Sequence, residues 1–235
     1  MLVNPVSNIT SNGKTDNVTS QQAGTISNNT LPRDKSLQKV FRRCGNNNRS
    51  KQNTLNFATW NVRTLLDSNR PSSITLPRRT AIIAHELREY NIDLVALQET
   101  HLRGEGQLDE RSGGYTYMWS GAKEEDQTGN FYGVAICAKT ELVNKGIVSD
   151  PNCYSDRIMS VVVHGQQSQT TFVSCYAPTL NDDVAVIETF YHDLKRFLNA
   201  IPNQHNIILA GEFNARVGTS THHWGGVIGH HGIGR

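Results

Sequence analysis

Ile92-Asp-Leu-Val-Ala-Leu-Gln-Glu-Thr100 is a nearly unbroken apolar run that stops on an amide and a carboxylate. A strand with one wet face alternates apolar and polar residues. Residues 92–97 scarcely alternate, which predicts a short strand covered on both faces. Immediately upstream, residues 78–90 place Ile83, Leu87 and Tyr90 at i, i+4 and i+7, one helix face opened by Pro77. Further back, residues 55–60 alternate as a strand does and mark the start of order. Downstream, shorter strands are expected at residues 115–119, 133–137, 158–164 and 170–176. A second helix is expected from about Asp183 to Asn199, with Ile187, Phe190, Leu194 and Phe197 as its buried stripe and Asn181 or Asp182 as its cap. Residues 206–210 form the last strand, and residues 211–235 are Gly/His-rich and loop-like. Strands outnumber helices and each helix follows a strand. The expected fold class is therefore α/β (α+β), a mixed sheet with helices on its outer faces.

The first 53 residues differ in kind. They are rich in Asn, Ser, Thr and Gln and show no sustained period, so they bury too little apolar surface to offset their ordering entropy. Residues 1–53 are read as a disordered basic tail, and residues 54–235 as one folded domain. The tail also explains a hydrophobic content of 37%, below the roughly 45–50% usual for globular chains. Eight Lys/Arg against Asp16 and Asp34 give the tail +6; the whole chain carries +2, so the body carries −4. A basic arm can add sequence-independent affinity for phosphate backbones, or simply be solvated. Cys44, Cys137, Cys153 and Cys175 show neither CxxC nor zinc spacing and are read as free thiols of an intracellular protein. No stretch reads as a signal peptide or a membrane span, so no membrane role is expected. No protein partner is evident.

Three predicted strands end in the same chemical vocabulary: Trp60-Asn-Val-Arg63, Leu97-Gln-Glu-Thr100 and Gly211-Glu-Phe-Asn214. A further strand ends in Cys175-Tyr-Ala-Pro178. Rigid scaffolds display functional groups at such ends. Carboxylates and amides are the hard oxygen ligands Mg²⁺ prefers, and phosphodiester cleavage needs an ion against the developing charge and a base for water. Asn61, Glu99, Tyr176, Glu212 and Asn214 can supply that set. Taken singly, each is equally an ordinary turn residue.

Taken together and in this order, the four motifs resemble the endonuclease/exonuclease/phosphatase (DNase I-like) superfamily, and within it the apurinic-type endonuclease domain of LINE-like retrotransposons. Ser155-Asp-Arg-Ile-Met159 and His231-Gly-Ile-Gly-Arg235 resemble the same branch. The resemblance covers residues 55–235. It implies a four-layer sandwich of two mixed β-sheets flanked by helices. It implies Glu99 as principal Mg²⁺ ligand with Asn61 beside it, Mn²⁺ being the substitute ion. Tyr176 would hold the scissile phosphate, and Glu212 would activate or orient water, supported by Asn214. DNA is the implied substrate and a nuclear location would follow from it.

Two departures bear on activity. The family motif is usually GDFN, and Glu212 stands where Asp is usual. The extra methylene displaces the carboxylate by more than about 1 Å, an error that can cost on the order of 10²-fold in rate. The family also closes on an SDH-like motif, which is not found before Arg235, so the domain is read as incomplete at its C-terminus. Missing strands would leave apolar faces and edges bare and favour aggregation. His222-His223 and His230-His231 are adjacent pairs whose side chains diverge in extended chain, and they are not read as a surrogate. The expected function is a Mg²⁺-dependent endonuclease of retroelement origin. The alternatives are an inactive truncated copy that at most binds nucleic acid, and a phosphatase or lipid phosphodiesterase of the same superfamily. Trp60, Phe213 and Cys175 are read as packing residues, Arg78-Arg79 as a solvated helix start, and Glu124-Glu125-Asp126 as an exposed loop.

Overall fold

The computed structural model describes residues 4–8, 54–67, 78–123, 125 and 132–215. Two sheets carry the architecture. The first holds β1 (Asn4–Asn8), β2 (Asn56–Asn61), β3 (Leu94–Gln98), β4 (Glu105–Glu110), β5 (Tyr115–Ser120) and β6 (Val134–Lys139) in the order β1-β2-β3-β6-β5-β4. The second holds β7 (Asn152–Ser155), β8 (Ile158–His164), β9 (Gln169–Tyr176) and β10 (Asn206–Glu212) in the order β10-β9-β8-β7. Both are mixed, with one parallel pair each, β2 with β3 and β10 with β9. Among the described residues three helices complete the order: α1 (Arg79–Glu89), α2 (Thr140–Asn144) and α3 (Val184–Ala200).

The alternation of side chains along each strand sorts the apolar residues into three layers. Leu94 and Ala96 of β3, with Phe57 and Ile136 of the same sheet, face the second sheet, where they meet Met159, Val161, Phe172 and Ile208. Val95 and Leu97 face the other way, against Ile83, Ala84 and Leu87 of α1. The outer face of the second sheet buries Ile158, Val173 and Cys175 beneath Phe190, Leu194 and Phe197 of α3. The order of layers is helix, sheet, sheet, helix: the α/β sandwich expected, with β3 fully buried.

The capping of α1 explains how β3 is delivered. Asn91 adopts φ 51°, and the amides of Asn91 and Ile92 bond the carbonyls of Arg88 (2.9 Å) and Leu87 (2.8 Å). This is the paired closure that a left-handed residue after a helix permits, and it turns the chain straight into the strand. It also corrects one expectation. Tyr90 is the C-cap, beyond the helical face, and is 48% exposed.

Other differences have equally local causes. The cap of α3 is Asp183, whose carboxylate accepts from the Ala185 amide at 2.9 Å. Asp182 is occupied by the amide (2.6 Å) and hydroxyl (2.8 Å) of Thr179. Strand β10 runs two residues past the expected Ala210, because its parallel pairing with β9 continues to Glu212 opposite Tyr176. Within the tail expected to be disordered, Asn4–Asn8 pairs antiparallel with β2, which offers it an open edge of backbone groups. The remainder of the tail, Cys44 and the four C-terminal histidines lie outside the described residues. No helix among the described residues is long and apolar enough to cross a membrane.

Candidate metal and phosphate site

Register brings the polar strand ends together. In the first sheet Asn61 pairs with Gln98, so Asn61 and Glu99 emerge side by side; in the second, Glu212 pairs with Tyr176. Gly211 lies against β9 so closely that a Cβ there would overlap the Cys175 carbonyl oxygen, which is why the residue before Glu212 is glycine. Beyond Gln98 the backbone breaks from the strand at Glu99, with φ 55°. Arg63, His101 and Asn214 also have positive φ, at 61°, 58° and 47°. Left-handed backbone at non-glycine residues costs about 1–3 kcal/mol each and survives only where neighbours over-determine it. Here the Thr100 and His101 amides bond the Gly133 and Tyr132 carbonyls, both at 3.1 Å, and the Val62 amide bonds the Gln98 carbonyl at 3.0 Å.

The side chains converge on one amide. Asn61 Nδ2 donates to Glu99 Oε1 at 2.7 Å and to Glu212 Oε2 at 2.8 Å. Its Oδ1 accepts from the Arg63 amide at 3.0 Å, which fixes which way the carboxamide is turned. Tyr176 donates its hydroxyl to the same Glu99 oxygen at 3.1 Å. Among the described residues neither carboxylate forms an ion pair with Lys or Arg, and His101 is a titratable neighbour that feels the charge of Glu99. Two acids from two different sheets are therefore held near each other by neutral donors. Burial, and next the charge of Glu99, push the Tyr176 phenol up to about 12, so it stays a donor throughout the physiological range. Burial lowers the His101 pKa, against the opposing pull of Glu99. His101 therefore favours its neutral form.

Asn61, Glu99, Tyr176 and Glu212 thus form one cluster. Asn214 stands beside it and donates to the Ala177 carbonyl at 2.7 Å, while the Ala177 amide bonds the Glu212 carbonyl at 2.8 Å. One residue of the site had been noted only within the Ser155–Met159 resemblance. Arg157 is buried, donates to the Tyr176 carbonyl at 3.2 Å and lies 3.6 Å from the centre of the Tyr132 ring. It backs the tyrosine with a cation. Arginine is mostly a surface residue, so its sequence carries no other signal of this place.

No group of three or more His, Cys, Asp or Glu that could hold a metal ion occurs among the described residues. Mg²⁺ does not require one: it is held by one or two carboxylates, with water and substrate phosphate filling the other positions. Glu99, Glu212 and Asn61 fit that demand. The remaining readings stand close to expectation. Trp60 is buried under α1, and Phe213 is half-buried against the α3 layer. Cys175 is buried, which pushes its thiol up to about 12 and leaves it inert as a nucleophile. Arg78 is half-exposed, but it is not simply solvated: it pairs with buried Glu110 at 2.9 Å.

A profile of the endonuclease/exonuclease/phosphatase family matches residues 58–232, three quarters of the chain and every residue of the cluster. The chain belongs to this family. Among curated proteins it is similar to craniofacial development protein 2 of Bos taurus, 27% identical over 178 residues, and of Tragulus javanicus, 26% identical. These matches cover 76% of this chain and 27% or 28% of the relatives, so the chain spans about a quarter of the length of the curated proteins it matches. Solved structures of similar fold include a humanized TDP2 of D. rerio (16% identity, TM-score 0.48, 74% of this chain and 72% of that one). Another is the AP endonuclease LMAP of Leishmania major (18%, 0.47, 68% and 55%). The endonuclease domain of the telomere-specific retrotransposon TRAS1 is similar at 20% identity and TM-score 0.40, covering 59% and 55%.

Proposed function

We propose that this family member is a Mg²⁺-dependent phosphodiesterase that nicks DNA. The observation that supports this most is the pair of carboxylates, Glu99 and Glu212, sharing the Asn61 amide beside a protonated tyrosine, with no Lys or Arg among the described residues in an ion pair with either. A bound divalent ion would offset charge developing on the phosphate. Glu99 and Asn61 are the residues that would hold it.

The other roles are those the family resemblance implies, and the positions of the residues support them. The Tyr176 hydroxyl, kept protonated by its burial, donates to a phosphate oxygen. Glu212 lies across the Asn61 amide from Glu99 and takes the proton of, or orients, the attacking water. Asn214, fixed on the Ala177 carbonyl, supports that edge of the site. Arg157 sits behind Tyr176 and favours negative charge in front of it. Purified protein with supercoiled plasmid and Mg²⁺ tests the reading. Nicked circles should form, and they should not form with Glu99→Ala. Equal nicking by the two proteins would end it.

Glu212 itself favours a second reading, a chain that binds nucleic acid without cutting it. Glutamate is longer than the aspartate usual in the family motif, and the excess reach would misplace the base. Glu212→Asp separates the two: a gain of roughly tenfold or more in nicking marks a site impaired by length alone. DNA retention with no nicking by either form supports binding only.

A further inference from the structure

Behind the cluster a row of buried polar groups crosses from one sheet to the other. The Thr59 hydroxyl donates to Gln98 Oε1 at 3.2 Å, Gln98 Nε2 donates to the Ser174 hydroxyl at 3.4 Å, and Ser174 donates to the Leu97 carbonyl at 3.3 Å. Gln98 is 1% exposed and Ser174 is fully buried. Each member stands one or two residues before a site residue: Thr59 before Asn61, Gln98 before Glu99, Ser174 before Tyr176. Apolar side chains make up most of the layer between the sheets. The buried Ser120 hydroxyl, bonded to the Ser155 carbonyl at 2.8 Å, is a second polar crossing nearer the β5–β7 end. Apolar packing is non-directional, and it alone does not fix one sheet against the other to the fraction of an ångström that a metal or phosphate site needs. A polar row in a dry interior has fixed geometry, because any member left unpartnered is costly.

We propose that Gln98 and Ser174 are positioning residues, which lock the Asn61–Glu99 edge of the first sheet in register with Tyr176 of the second. This rests on the proposed function for what the register serves, but the register itself is measured independently of it. The Tyr176–Glu99 bond is the sole hydrogen bond joining the tyrosine side chain to the carboxylate pair among the described residues. A shift of one sheet along the other would break it without unfolding the domain.

The full chain labelled with 3-fluorotyrosine provides the test, the Tyr176 signal being identified by its loss in Tyr176→Phe. In Ser174→Ala and Gln98→Met the ¹⁹F resonance should move toward the position it takes in Glu99→Gln. The Mn²⁺ concentration for half-saturation, read by electron paramagnetic resonance, should rise at least threefold. Nicking turnover should fall about tenfold with KM held within twofold, and Ser174→Thr, which keeps the hydroxyl, should recover most of the loss. Thr116→Val, removing a buried hydroxyl of β5 that bonds Asp109 and Thr140, serves as control. It should lower the melting temperature and leave resonance, Mn²⁺ binding and turnover where they were.

If the Tyr176 resonance is unmoved in both folded variants, the row is ordinary core and the proposal is overturned. Should neither buried variant fold, Thr59→Val breaks the half-buried end of the row, and the same resonance decides. A native chain that neither binds Mn²⁺ nor nicks DNA defeats the proposed function. The resonance comparison still rules on the register.

Discussion

Strand β3 is bounded by an acid at each end, and the two acids are treated in opposite ways. Asp93, entering the strand, accepts the Asn56 amide at 2.7 Å and forms an ion pair with Lys139, also at 2.7 Å. Glu99, leaving it, accepts from an amide and a phenol and, among the described residues, forms no ion pair with Lys or Arg. The backbone is relaxed at the first end and left-handed at the second. Glu110, on another strand, repeats the first pattern, with Arg78, Thr80 and Ser112 around it. Where the fold needs a carboxylate for its own integrity, it supplies the counter-charge. Where it does not, two acids are brought together, and the domain is left to tolerate them.

The sharpest way to break this contrast is Glu99→Ala. Nicking should fall on the order of 10²–10³-fold, with the melting temperature unchanged or raised, since Glu212 loses a like-charged neighbour. A large drop in melting temperature would mean that Glu99 is structural after all. The mirror experiment is Asp93→Ala, which strands Lys139 and the Asn56 amide and should cost about 2–4 kcal/mol in urea unfolding. Plasmid nicking per folded molecule should stay near native.

Tyr176→Phe removes one donor and keeps the ring, so about a tenfold loss of turnover is expected. Because the phenol titrates at about 12, the native rate should show no alkaline break below pH 11. A break near pH 10 would place the hydroxyl in water.

The smallest effect concerns Glu110. Burial alone would raise its pKa, but the bonds from Ser112 and Thr80 and the charge of Arg78 outweigh burial and hold it below 4.5. The unfolded chain therefore binds the proton first as pH falls. Stability should be full above pH 4.5 and decline as pH drops through the folded pKa. Melting curves between pH 3 and 6 should show a shallower decline in Glu110→Gln than in the native chain.

Much of this was legible in the residue order, for identifiable reasons. Strands β2, β3 and β9 and helix α3 announce themselves because burial imposes an apolar pattern on them. The pattern is near-continuous in β3, buried on both faces, and has a period close to four in Phe190, Leu194 and Phe197. Strand β4 was missed because Glu105-Gly-Gln-Leu-Asp-Glu110 is a polar edge strand, exposed or half-buried over its first five residues. Helix α2, of five residues, is too short for a period to show, and β7, four residues with none fully buried, carries no apolar signal.

The site divides along the same line. Asn61, Glu99, Tyr176 and Glu212 could be named because each follows an apolar run. That one amide would hold both acids depends on the β2–β3 register and on the meeting of two sheets, neither of which a local pattern encodes. Arg157 was hidden for the converse reason. A buried guanidinium under an aromatic ring looks, in sequence, like any surface arginine.

The left-handed backbone at Glu99 sets the proposed site against the durability of the domain. Glycine at that position would relax the chain, and a neutral residue at 212 would end the repulsion between acids. Both changes should gain stability, and both would dismantle the cluster. Selection for heat resistance alone would therefore tend to dismantle this corner first. The persistence of strain and like charge here would be the record of a use that compensates for them.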